Sequence, residues 1–147
     1  MKLLFVHGTK FKEDKEGNLY TGGSYNKDTW HRYLSISGKL SVIARKDPVF
    51  YNEKYAQNNF NHFDKRKIKF IEVPNRVASI RSFLNFQKHR EINNIIREQV
   101  AKSDCLIARL PSGFGNIAIR YAKLFHKPYL VEIVGCPWDS LWNHSIG

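Results

Sequence analysis

The residues best suited to chemistry are basic groups and glycines that stand where short apolar runs end. His7-Gly8 closes "KLLFVHG", Arg45-Lys46 closes "KLSVIAR", and Asn75-Arg76 follows "KIKFIEVP". Arg109-Leu110-Pro111-Ser112-Gly113 closes "DCLIARLP", and "PYLVEIVG" ends at Gly135 before Cys136-Pro137-Trp138-Asp139. Two glycine stretches, "TGGS" with Gly22 and Gly23 and "PSGFGN" with Gly113, each precede a predicted helix. Glycine lets backbone approach a ligand closely, and the first N–H groups of a helix attract anions. Cations beside such helix starts suit the holding of a phosphate. The competing reading is a plain tight turn for each glycine pair, and an ordinary strand end facing water for His7 and Arg45.

Other chemistries lack their residues. Glu132 falls inside a strand and Asp139 just outside it, so no paired carboxylates stand at these ends. There is no G-x-S-x-G elbow and no Walker-type phosphate loop. "SGFGN" is not a full dinucleotide fingerprint, because it follows the fourth strand rather than the first. His7, His31, His62, His89, His126 and His144 share no metal-ligand spacing. Cys105 and Cys136 are isolated and read as free buried thiols. No metal is expected, and no catalytic residue is assigned.

The elements that must position these groups are short and apolar. Strands are predicted at 2–8, 39–45, 67–74, 104–111 and 128–135. A helix capped by Ser24 and stopped by Gly38 carries Tyr25, Trp30, Tyr33, Leu34 and Ser37. A long helix over Phe83 to Lys102 places Ile92, Ile95, Ile96, Gln99 and Val100 on one buried face. A short helix covers 115–126. Residues 9–22 read as a mobile loop, and 46–66, rich in Asn and aromatics, have no clean period. Strands apolar on both faces and alternating with helices imply an α/β fold. The expectation is a single Rossmann-like domain over 1–147, with a doubly wound parallel sheet in three α/β/α layers and right-handed crossovers. In such sheets ligands bind beyond the carboxyl ends of the strands, where strand order reverses.

Composition permits this. The chain has 147 residues, 42% hydrophobic and 14% aromatic, enough for one core. No apolar run approaches the roughly 20 residues of a membrane helix, and the start is too short for a signal peptide, so a cytoplasmic protein is expected. Lys and Arg number 24 against 13 acidic residues, a net charge of +11. That excess favours polyanions: nucleic acid, acidic lipid headgroups or phosphorylated metabolites.

The stretch "LIARLPSGFGNIAIRYAKLFHKPYLVEIVGCPWDSLWNHS" resembles the N-terminal domain of bacterial GT-B glycosyltransferases of the retaining family 4 type. "GGSYNKDTWHRYLSISGKLSVIAR" fits that family's glycine pair, first helix and second strand. The resemblance covers most of the chain and is weakest over 46–66. It implies the acceptor-side half of a two-domain enzyme of surface or capsular polysaccharide biosynthesis. That enzyme would transfer a sugar from a nucleotide-sugar to a saccharide or lipid-linked acceptor. Such a half would be inactive alone, so the chain is expected to be part of a longer protein or an unusually short version of one.

By the same resemblance, Gly22 and Gly23 face the donor diphosphate, Arg109, Pro111 and Ser112 line the cleft, and Gly135, Pro137, Trp138 and Asp139 form the strand-five exit. Added to the strand-end residues, this gives Gly22, Gly23, Arg109, Ser112 and Gly113 as the expected donor-phosphate side and His7, Arg45, Pro111, Gly135, Pro137, Trp138 and Asp139 as the acceptor side. Relatives often carry a histidine at the strand-five exit, where this chain has Gly135-Cys136; the leaving diphosphate would then serve as base. No cofactor is implied. A basic surface with Phe50, Tyr51, Tyr55, Phe60 and Phe63 suits the anionic inner membrane face. The alternative is a free-standing Rossmann-like module that binds nucleic acid or another anionic ligand. A flavodoxin-like carrier lacks its phosphate loop after strand one.

Overall fold

Leu3, Leu4, Phe5 and Val6 are consecutive and all buried, so the first strand is covered on both faces. The computed structural model describes residues 1–75 and 83–135. The elements are β1 (Lys2–Asp14), β2 (Leu19–Thr21), α1 (Lys27–Ser37), β3 (Lys39–Tyr51), α2 (Glu53–Asn59), β4 (Asn61–Phe63), β5 (Ile68–Glu72), α3 (Phe83–Lys102), β6 (Cys105–Leu110), α4 (Gly113–Leu124) and β7 (Tyr129–Ile133).

The parallel strands run β7-β6-β1-β3-β5. β1 is flanked by β3 on one side and β6 on the other, so strand order reverses between β1 and β6, as in a doubly wound sheet. Leu3, Phe5, Leu40, Val42, Ala44 and Ile107 pack with Trp30 and Tyr33 of α1 on one face. Leu4, Val6, Ile43 and Leu106 pack with Ile92, Ile96 and Val100 of α3 and Phe114, Ala118 and Ala122 of α4 on the other. The three-layer α/β domain expected from the sequence is present, and the face predicted for the long helix is the one it buries.

Two segments differ from expectation. Residues 9–22 are not a mobile loop: β1 continues to Asp14, turns, and returns as β2, antiparallel to it. The reason is Phe11, fully buried with its ring 5.0 Å from Phe63 and 4.8 Å from Phe70. Residues 46–66 are likewise structured. β3 extends to Tyr51, Asn52 caps α2 by accepting from the Lys54 and Tyr55 N–H groups, and β4 pairs antiparallel with β2. The sheet is therefore mixed rather than wholly parallel. The helix cap also moves: Asn26, not Ser24, accepts from Thr29 N–H, while Gly38 ends α1 as predicted with φ 71°.

Among the described residues no helix is long and apolar enough to cross a membrane. Arg76, Cys136, Pro137, Trp138 and Asp139 lie outside the described residues.

Candidate functional site

Where β1 stops pairing with β6 after Val6, at the carboxyl end of β6 and the reversal of strand order, a cleft of about 310 Å³ opens. One wall is the start of α4. Ser112 is extended there, at φ −158°, and its Oγ accepts the Gly115 N–H at 3.2 Å. The first turn of α4 carries the positive end of the helix dipole. Gly115 seats this turn on β6. A Cβ there would lie 2.9 Å from Leu110 Cδ2 and 3.3 Å from the Arg109 carbonyl oxygen. Gly115→Val should therefore cost about 1–3 kcal/mol by overpacking. Urea unfolding checks this; a variant as stable as the parent would mean that α4 shifts freely.

The facing wall is His7, Gly8, Thr9 and Arg45. Arg45 donates Nε–H to the Gly8 carbonyl at 2.9 Å and Nη2–H to the same oxygen. Its guanidinium stands 5.7 Å from the Phe114 ring centroid. A Cβ on Gly8 would lie 3.3 Å from Ser112 Oγ, so glycine lets β1 approach the helix start. A helix N-terminus and a guanidinium thus border one small cleft, an arrangement that favours a phosphate-like anion.

His7 is half-buried, its Nδ1 2.6 Å from the Tyr25 hydroxyl. Burial, then the charges of Arg109 and Arg45, lower its pKa from 6.5 to about 4. The imidazole is therefore neutral at pH 7 and supplies no charge to the cleft. The unfolded chain takes up this proton near pH 6.5 and the folded chain only near 4. Stability is accordingly full above about pH 6.5 and falls as pH drops towards 4. Asp14 and Asp104, held below their ordinary 3.8, lose their contribution only at lower pH. Denaturant midpoints at pH 7.5 and 5 should differ in the parent and converge in His7→Asn. An unchanged gap in the variant would assign the dependence elsewhere.

The sequence-predicted residues divide into two groups. His7, Arg45, Pro111, Ser112 and Gly113 meet in this cleft, together with Thr9 and Phe114, which sequence reasoning missed. Pro111 follows a cis peptide bond. Arg109 is not among the cleft's walls. Strand alternation turns it with Ile107 towards α1, where it is 6% exposed. Its Nε–H donates to Glu132 Oε2 at 3.1 Å, and its guanidinium lies 4.7 Å from the Tyr25 ring centroid. The Tyr33 hydroxyl donates to the same Glu132 oxygen at 2.7 Å, and Arg32 pairs with Oε1 at 3.3 Å.

Gly22 and Gly23 follow β2 and are not among the walls around Ser112. Gly23 has φ 61°, and its carbonyl accepts from Asn61 Nδ2 at 3.4 Å. Gly135, at φ 80°, is exposed just past β7. The sequence places Glu132 inside a strand but not its partner, because the register that sets it opposite Arg109 on β6 appears only in the fold. Among the described residues no group of three or more His, Cys, Asp or Glu could hold a metal ion.

No family model matches the chain. It is similar to Protein CapJ of Staphylococcus aureus, at 32% identity over 145 residues. The match takes in 99% of this chain and 34% of that protein, so the chain spans about a third of the relative's length. Among solved structures it is similar to the C-terminal domain of a hydrogenase from Pyrococcus furiosus, with 15% identity, a TM-score of 0.48, and coverage of 89% of this chain and 90% of that one.

Proposed function

We propose that this chain is the acceptor-side, N-terminal half of a glycosyltransferase of capsular or surface polysaccharide biosynthesis. In this reading a second α/β half holds most of the nucleotide-sugar. The observation that carries it is the cleft at the strand-order reversal, bordered by the α4 N-terminus and Arg45. Similarity to Protein CapJ supports the capsular setting, and its greater length leaves room for the second half.

The cleft's part is to hold the anionic donor group. The start of α4 brings the positive end of its dipole to the cleft, Arg45 adds a fixed positive charge, and neutral His7 is oriented through Tyr25. The geometry names no base, so bond cleavage would rely on the departing diphosphate or on a group of the second half. No metal or cofactor enters this reading. The net +11 would draw the protein towards anionic, lipid-linked acceptors at the inner membrane face.

The test is calorimetric titration of a form extended to the relative's length with nucleotide-sugars, followed by an assay for sugar release or transfer. Binding and turnover are expected. An extended protein that binds no nucleotide-sugar, or that instead retains nucleic acid with a steep salt dependence, overturns the reading.

A further inference from the structure

A second, larger groove lies on the α1 face, well apart in sequence from the cleft residues. In a doubly wound fold a helix between the second and third parallel strands covers this face beside the first helix. Here α2 and β4 take that connection instead, and a cavity of about 520 Å³ remains. Lys27, Trp30, His31 and Leu34, at i, i+3, i+4 and i+7, form its α1 side. Asn61 and His62 of β4, the turn at Asp64, Arg66 and Lys67, and Ile68 of β5 form the other.

We propose that this groove binds a sugar carrying an anionic group. Three cations, Lys27, Arg66 and Lys67, border it against one carboxylate, Asp64, which both Arg66 (3.1 Å) and Lys67 (4.0 Å) approach. The balance is a net positive rim with two imidazoles beside it. Leu34 and buried Ile68 supply an apolar floor for the C–H face of a ring. Asn61 and the imidazoles offer the mixed donors and acceptors that hydroxyl groups need.

Trp30 forms part of the groove's wall with its indole sunk beneath the surface at 4% exposure, so its N–H resonance senses the packing of that wall without contacting the ligand. The volume suits one or two sugar rings. The inference does not depend on the glycosyltransferase reading.

The indole N–H resonance of Trp30, assigned through Trp30→Phe, reports occupancy in ¹H–¹⁵N spectra of the full chain. Glucuronate and glucose 6-phosphate are titrated separately, with glucose and inorganic phosphate as controls. A shift that saturates in the low millimolar range, on the order of 1–10 mM, is expected with at least one anionic sugar. Glucuronate alone would identify a carboxylate ligand, and glucose 6-phosphate alone a phosphorylated one. Lys27→Gln/Arg66→Gln, at exposed positions, should weaken it about tenfold or more. Arg45→Gln should leave it unchanged, which separates this site from the cleft. The proposal is overturned by silence from both anionic sugars, by equal responses to glucose or phosphate, or by a double variant that binds as well as the parent.

Discussion

Glu132→Ala should destabilise the fold by about 3 kcal/mol, enough to leave much of the chain unfolded at modest urea. Glu132 and Arg109 are register partners on β7 and β6, 3.1 Å apart, and the Arg109 side chain is only 8% exposed. Removing the carboxylate strands a buried guanidinium and takes the acceptor from the Tyr33 hydroxyl, so β7 loses its tie to α1. Glu132→Gln keeps an acceptor and should cost less. Arg109→Met with Glu132→Leu should regain most of the loss, because the cost lies in the unmatched charge rather than in the absent pair. Glu132→Ala within about 0.5 kcal/mol of the parent would show that water reaches Arg109.

Asp14→Ala should be nearly as damaging, at about 2–3 kcal/mol. Asp14 is fully buried at the turn between β1 and β2. It accepts from the Glu16 N–H at 2.9 Å, the Asn18 N–H at 2.8 Å, Asn18 Nδ2 at 3.0 Å and the Tyr20 hydroxyl at 2.9 Å. Burial alone would raise its pKa; the bonds from Asn18, Tyr20 and Glu16 outweigh that and lower it. Alanine removes the shared acceptor of all four donors at the turn. The loss should be local first, with faster amide exchange at Leu19–Thr21 and in β4, which pairs with β2. Protection unchanged there would mean that the aromatic cluster of Phe11, Phe63 and Phe70 holds the turn by itself.

The parallel core was legible because its strands are runs that no other element could use, and because Ile92, Ile96 and Val100 keep a helical period. The antiparallel extension was not. β2 and β4 have three residues each, too few for alternation to register, and what fixes them is distant: Asp14 reaching Tyr20, and Phe11 meeting Phe63. The site was partly legible for a related reason. The ends of apolar runs are visible in sequence, so His7, Arg45 and Ser112 were found, although β1 and β3 continue past His7 and Arg45. Which face each side chain takes follows from the pleat and its partners, and that turned Arg109 towards Glu132 and away from the cleft. Two consecutive glycines at 22 and 23 likewise announced a special backbone without saying what it faces.

The most direct test of the account is an NMR titration of the full chain with a nucleoside diphosphate at low salt. The Gly113, Phe114 and Gly8 amides should shift together, and Arg45→Gln should weaken the response about tenfold. Shifts confined to other parts of the chain, or a response that Arg45→Gln leaves unchanged, would contradict the claim that the cleft between β1 and α4 holds the anion.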